Sequence, residues 1–184
     1  ETLLTEEKRI TEELNEKVRG HVERAFARFQ KELQYANTQL LQQLKEKTVA
    51  QILQLIDREI AEQKECSKPL IPRYFEWAFG ATREEALCID AETKTPIYIG
   101  GRIDRIDTDR AGKSFLVLDY KTGSRLKSTP SELQDGWALQ LPLYIAAVQQ
   151  KLLPGADGIG GLLISTKSGK REQGLVLKSA NKQS

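Results

Sequence analysis

The chain has 184 residues, of which 39% are hydrophobic and 29% charged, and its formal net charge at pH 7 is +2. These values fit a soluble globular protein with one hydrophobic core. The small net charge excludes a strong electrostatic field around the whole protein. A nucleic-acid partner would therefore have to bind a local basic patch or a metal ion. No apolar run approaches the roughly 20 residues of a membrane span, and the N-terminus has no signal-peptide pattern. We therefore expect a cytoplasmic protein with no membrane partner.

The first third of the chain, residues 1–65, has the pattern of long helices. Apolar residues recur every three to five positions, with Gln, Lys and Glu on the opposite face, as in Leu41, Leu44, Val49, Ile52, Ile56 and Ile60. No Gly or Pro lies between Gly20 and Pro69, and Asn37-Thr38 is a predicted break and cap. The charged faces are either solvated or, alternatively, dock onto another domain.

After Pro69 the pattern changes from helix to strand. The predicted strands are residues 71–80, 86–90, 98–107, 115–118, 158–166 and 174–178, of which 86–90 is the weakest candidate. Turn residues at 108–113 predict a hairpin between the strands that flank them. Residues 137–148 have the pattern of an amphipathic helix, and Pro154-Gly155 is a stop signal after it.

Asp119 and Lys121 follow directly after the apolar run 115–118, which indicates a strand buried on both faces. Side chains two positions apart in a strand point to the same face. A carboxylate and an ammonium group are therefore presented together, and such a pair could hold a metal ion and activate a nucleophile. An arbitrary Asp-x-Lys is more often a surface ion pair, and these residues alone leave that alternative open.

Two further pairs of residues depend on the periodicity of their elements. Asp104 and Asp107 are three positions apart, so they face opposite sides of the predicted strand and only one can meet Asp119 across the hairpin. The local pattern does not decide between them. Gln140 and Tyr144 are four apart on the predicted helix and share a face.

Three motifs occur in a characteristic order, namely Gly101-x-Ile103-Asp104, Asp119-Tyr120-Lys121-Thr122-Gly123 and Gln140-x-x-x-Tyr144. They resemble the RecB-like branch of the PD-(D/E)XK nuclease superfamily, and are most similar to the nuclease domain of AddB-type helicase–nuclease subunits. The motifs cover residues 97–148 directly. The resemblance implies an α/β fold with a restriction-endonuclease-like core of order α-β-β-β-α-β, in which helices flank a mixed central sheet, preceded here by the long helical part.

The same layout predicts one nuclease domain over residues 1–184. Within it, residues 1–65 would carry the first core helix, 70–178 the catalytic core and 179–184 a polar tail. The chain begins with Glu1 and contains no Met, from which we expect a fragment of a larger protein.

The resemblance also implies the roles of the central residues. It selects Asp104 over Asp107, which would then pair with an Arg or begin the turn. The implied ligands of Mg²⁺ or Mn²⁺ are His21, Asp104, Asp119 and the Tyr120 carbonyl. Lys121 would orient or help deprotonate the attacking water, so that Asp104, Asp119 and Lys121 form the catalytic set. By itself, a lone helical His such as His21 is more often an ordinary packed or surface residue.

Further residues have implied roles around this centre. Gln140 and Tyr144 would bind the DNA backbone or support the site. Glu76 would be an additional acid, or simply an outward polar residue of its strand. The candidate phosphate contacts, whose alternative role is solubility, are Arg102, Arg105, Arg125 and Lys127.

Cys66 and Cys88 lack Cys-x-x-Cys spacing, so they cannot build a metal site by themselves. Many nucleases of the AddB type, which this sequence resembles, hold an iron–sulfur cluster with one cysteine before the nuclease core and three after it. Because the C-terminal set is absent from this sequence, we expect no iron–sulfur cluster in this chain.

The resemblance therefore implies a Mg²⁺- or Mn²⁺-dependent deoxyribonuclease, more an exonuclease than an endonuclease. It would act on single- or double-stranded DNA ends in double-strand break repair and recombination, with a helicase domain or partner subunit. The alternatives are a stand-alone RecB-family exonuclease and a catalytically silent DNA-binding or scaffolding module of the same fold. A helical interaction protein would suit only the first third of the chain.

Overall fold

The computed structural model describes residues 12–32, 38–66, 69–89, 95–123, 139–167 and 171–176. The two long helices belong to one compact unit, the helical unit, and the strands with the short third helix belong to another, the sheet unit. Among the described helices, none is both long and apolar enough to cross a membrane. The division matches the predicted change of pattern near Pro69, while a single nuclease domain stays a prediction.

The helical unit consists of α1 (Glu12–Glu32) and α2 (Thr38–Glu65). An apolar stripe on α1 repeats every four residues, close to the period of one helix face, and packs on apolar residues of α2. The buried members of this cluster are Leu14, Val18, Val22 and Val49, and the partly buried ones are Phe26, Ile52, Leu53 and Ile56. The predicted pair of helices is confirmed, although Leu44 is exposed. Asn37 lies outside the described residues.

The sheet unit contains seven strands in the part of the chain that is described. In chain order they are β1 (Ile71–Phe79), β2 (Leu87–Ile89), β3 (Ile97–Ile99), β4 (Gly101–Thr108), β5 (Ser114–Lys121), β6 (Asp157–Ser165) and β7 (Arg171–Val176). Five of them form one sheet in the order β1-β4-β5-β6-β7, in which only the β5–β6 pairing is parallel. The predicted mixed central sheet is therefore confirmed.

A parallel pair needs a long crossover connection, and here the crossover carries α3 (Gln140–Ala147), which continues into a π-helical turn (Val148–Leu152). Two glycines of β6 let α3 lie close to the sheet. A Cβ at Gly158 would come within 2.9 Å of Ile145 and Phe115 side-chain atoms, and one at Gly161 within 3.1 Å of Leu141. This close packing sets the position of the first turn of α3, which begins at Gln140.

The predicted strand 98–107 is wrong in one respect, because the structure divides it at Gly100. Residues before this point form β3, which pairs with β2 in a separate two-stranded sheet, and residues after it form β4. A Cβ at Gly80, whose φ is +84°, would collide with the Gly100 backbone. The two glycines thus allow the backbones to approach where the chain changes sheets. The weaker strand candidate at 86–90 is confirmed as β2.

Candidate active site

The candidate site lies where β4 and β5 separate. Their backbone pairing runs from Thr108–Phe115 to Arg105–Leu118. One step further, the backbone N–H of Tyr120 donates a 2.7 Å hydrogen bond to Oδ2 of Asp104. A side chain of β4 has thus replaced the β4 backbone as the partner of this N–H group. The Asp104 carboxylate is thereby held beside the end of β5, where the predicted Asp-x-Lys pair lies.

Four predicted site residues form one connected network. The Lys121 ammonium lies 2.5 Å from Oδ2 of Asp119 and donates a 2.9 Å hydrogen bond to Oε1 of Gln140. The Gln140 amide nitrogen donates to Oδ1 of Asp119, at 3.1 Å, and to the Tyr144 hydroxyl, at 3.0 Å. The common faces predicted for Asp119 with Lys121, and for Gln140 with Tyr144, are confirmed. Gln140 joins the strand pair to the helix pair.

Asp119 is in an unusual environment for a carboxylate, because only 3% of the residue is exposed. Burial raises its pKa; the contact with Lys121 acts in the opposite direction, and the like charge of Asp104 raises it further. Among the described residues, no hydrogen-bond donor is aligned with its buried Oδ2, although Lys121 neutralises its charge from close by. Oδ2 of Asp119 thus faces a cation, the Lys121 ammonium, without an aligned hydrogen bond.

These residues fit a hard divalent cation. Oxygen ligands are what Mg²⁺ prefers, and it is commonly bound through one or two carboxylates while it keeps several water ligands. Asp104 and Asp119 supply that number of carboxylates. The observation that favours the fit is the buried Oδ2 of Asp119, which has no aligned hydrogen-bond donor among the described residues and already faces a cation, the Lys121 ammonium. In the described parts of the chain, no three His, Cys, Asp or Glu side chains come together as a metal cluster. The protein share of such a site would then be completed by backbone carbonyls such as that of Tyr120.

Four of the other predicted site residues divide into three cases. His21 lies on α1 of the helical unit and is exposed, and its role as a metal ligand stays a prediction. Arg125 and Lys127 lie outside the described residues. Arg102 is exposed on β4 and forms an ion pair with Glu76, with 3.0 Å between its Nε and Oε2 of Glu76, so its phosphate contact also stays a prediction.

Arg105 does not have the environment of a phosphate contact. Its side chain is 4% exposed, and Nε and Nη2 donate 2.6 Å hydrogen bonds to the two carboxylate oxygens of Asp107. Nη1 donates to the Tyr120 hydroxyl at 2.9 Å. The burial argues against DNA contact and corrects that prediction, whereas the expected pairing of Asp107 with an Arg is confirmed. The signal was present in the sequence, since residues two apart share a strand face.

Glu76 lies on the strand next to Asp104. The flanking pairs Phe75–Arg105 and Trp77–Ile103 put it level with Asp104 across the β1–β4 ladder. Its φ of 49° is the left-handed conformation that residues with a Cβ rarely adopt. The carboxylate is 61% exposed and contacts Arg102. In this arrangement Glu76 is the ion-pair partner of a basic residue.

Replacement of Glu76 by Gln tests whether it is also an additional acid of the site. We expect Mn²⁺ affinity and DNA cleavage to stay within about threefold of wild type, because an exposed ion pair contributes only ~0.2–1 kcal/mol. Asp104→Asn is the matched comparison on the adjacent strand, and it should lose metal binding in the same calorimetric titration. A loss in Glu76→Gln as large as that in Asp104→Asn would instead make Glu76 a metal ligand.

The mixed sheet, with two aspartates and a lysine at one end, defines a nuclease-type α/β core. The chain matches the PD-(D/E)XK nuclease superfamily over residues 2–184, and it belongs to this superfamily. It is also similar to a subunit of the ATP-dependent helicase/deoxyribonuclease of Alkaliphilus oremlandii (strain OhILAs), with 36% identity over 81 residues. The matched region is 42% of this chain but only 7% of that relative. PD-(D/E)XK nucleases generally use divalent metal ions.

Proposed function

We propose that the chain is a Mg²⁺- or Mn²⁺-dependent deoxyribonuclease that degrades DNA from its ends. The observation that carries the proposal is the buried carboxylate of Asp119, which lies between Lys121 and Gln140 and keeps one oxygen without an aligned donor. A structural ion pair has no need of a second aspartate nearby. The negative charge of Asp104 repels that of Asp119 when no metal ion is bound, and a divalent cation would offset this repulsion.

Each residue of the network has a task in phosphodiester hydrolysis. When bound, the divalent ion would polarise the phosphoryl group and lower the pKa of a water molecule. Asp104 and Asp119 would hold it, with the Tyr120 carbonyl as a further ligand. Lys121 orients the attacking water and stabilises the charge that develops on the phosphate. Gln140, which is hydrogen-bonded to both side chains, holds the Lys121 ammonium group and the Asp119 carboxylate in position relative to each other. Tyr144 supports Gln140 through its hydroxyl.

The DNA partner is proposed from the same site and from the name of the relative, which is a helicase/deoxyribonuclease subunit. Arg102, Arg125 and Lys127 would contact backbone phosphates, which position the duplex or strand without reading its sequence. We propose that a helicase domain or partner subunit delivers DNA ends to this domain during double-strand break repair and recombination in the cytoplasm. This larger context extends beyond the 7% of the relative that the chain covers.

The test is degradation of end-labelled linear DNA, single- and double-stranded, by the purified 184-residue chain with Mg²⁺, Mn²⁺ or a chelator. A closed circular DNA of the same sequence serves as the matched substrate without ends. We expect metal-dependent release of label from linear DNA and little cleavage of the circle. Equal cleavage of both would contradict an end-dependent exonuclease. Metal and DNA binding without any cleavage would indicate the silent DNA-binding module instead.

A further inference from the structure

The site network described above does not use Arg105 and Asp107, although they form an ion pair in which both side chains are buried. Both side chains are 4% exposed, and two 2.6 Å hydrogen bonds join the guanidinium fork to the carboxylate. Removing a charged pair from water is costly, and such a pair is a weak source of stability. Its presence in the middle of β4, next to Asp104, therefore calls for another reason.

The third hydrogen bond of Arg105 supplies that reason, since it is donated to the Tyr120 hydroxyl at 2.9 Å. Side chains alternate along a strand, so the Arg105–Asp107 pair lies on the sheet face opposite Asp104. The Tyr120 ring likewise lies on the face opposite Asp119 and Lys121. Tyr120 is thus the residue that links the two faces, because its backbone N–H holds the Asp104 carboxylate at 2.7 Å.

We propose that Asp107, Arg105 and Tyr120 form a positioning network for the metal site. Asp107 fixes the plane of the guanidinium, Arg105 holds the Tyr120 phenol, and the anchored Tyr120 backbone holds Asp104 beside Asp119. The ladder between β4 and β5 ends before this point. Pairing with β1 and with β6 continues on the outer sides of the two strands, but backbone pairing between β4 and β5 does not fix Asp104 against Tyr120. The inference rests on the proposed metal-dependent function, and it makes these three residues positioning residues that act through Asp104.

The deciding variant is Tyr120→Phe, which removes one hydroxyl and keeps the ring. Mn²⁺ binding to the 184-residue chain is measured by isothermal titration calorimetry, with circular dichroism to verify the fold. We expect the Mn²⁺ dissociation constant to rise about tenfold, the lower end of the effect of residues that orient metal ligands. Cleavage should recover towards the wild-type rate at saturating Mn²⁺, because Asp104 itself is intact. A residue that only stabilised the fold would not produce this metal-dependent recovery.

Tyr74→Phe is the matched control, since it removes a phenol hydroxyl outside the network, on β1, the strand that pairs with β4; its Mn²⁺ affinity should equal that of wild type. Arg105→Lys keeps the charge but not the two-pronged contact and should weaken Mn²⁺ binding in the same direction. If Arg105→Lys does not fold, Tyr120→Phe still decides. Unchanged Mn²⁺ affinity in a folded Tyr120→Phe chain overturns the inference and leaves the nuclease proposal intact. A wild-type chain that neither binds Mn²⁺ nor cleaves DNA overturns both.

Discussion

A Lys121→Ala chain is expected to cleave DNA about 10²- to 10⁴-fold more slowly than wild type, the usual contribution of a positioned proton-transfer group. The ammonium lies 2.5 Å from Asp119 and donates to Gln140, so its position is set by two partners. Its loss would remove the group that we propose orients the water and stabilises developing charge, while both carboxylates remain. Single-turnover cleavage of end-labelled DNA at saturating Mn²⁺ measures the rate, and calorimetry should still detect Mn²⁺ binding.

Two controls make this result specific. Lys113→Ala removes an exposed lysine from the turn before β5, and should leave the rate within about twofold of wild type. Lys121→Arg keeps the positive charge in a bulkier group that does not release a proton, and should remain nearly as slow as Lys121→Ala. A Lys113→Ala rate as low as that of Lys121→Ala would point to general electrostatic attraction of DNA. Full activity of Lys121→Arg would restrict the role of Lys121 to its charge.

Asp119→Asn is expected to abolish cleavage and yet to make the metal-free protein more stable at pH 7. Burial raises the pKa of Asp119 above its ordinary value of 3.8, with a further contribution from Asp104. Because the folded-state pKa is raised, the stability that Asp119 contributes is present below pH 3.8 and is lost as pH rises through the raised value. At neutral pH its charge is therefore destabilising. Lys121 is 34% exposed, so water can hydrate it when its partner is neutral.

Thermal unfolding with a chelator, at pH values from 3.5 to 8, tests this expectation. The difference in melting temperature between Asp119→Asn and wild type should grow as pH rises. Saturating Mn²⁺ should reverse the order, since a ligand at 100 times its dissociation constant stabilises wild type by about 2.7 kcal/mol and the variant binds it poorly. Asp157→Asn, an exposed aspartate at the start of β6, is the matched control. An Asp119→Asn difference that is independent of pH would contradict the burial argument.

The sequence was sufficient wherever local periodicity carried the information. The period of two in a strand puts Asp119 and Lys121 on one face, and the helical period puts Gln140 beside Tyr144; hydrogen bonds and ion pairs confirm both. The apolar run of β5 and the turn residues after Thr108 likewise predicted the hairpin that is observed. In each case a few neighbouring residues set the geometry, so no distant contact was needed to predict it.

Periodicity could not decide questions that depend on which faces meet. The alternation of side chains along the strand showed that only one of Asp104 and Asp107 can face Asp119, but not which one. The end of the β4–β5 ladder and the hydrogen bond from the Tyr120 N–H bring Asp104 to the site. The same limit explains why Arg105 was predicted to be a phosphate contact. In the structure it is buried and hydrogen-bonded to Asp107 and Tyr120. Sequence thus determined the faces of the elements and the chemistry they carry. Tertiary structure decided which charges are removed from water, because burial depends on strand pairing between residues far apart in the chain.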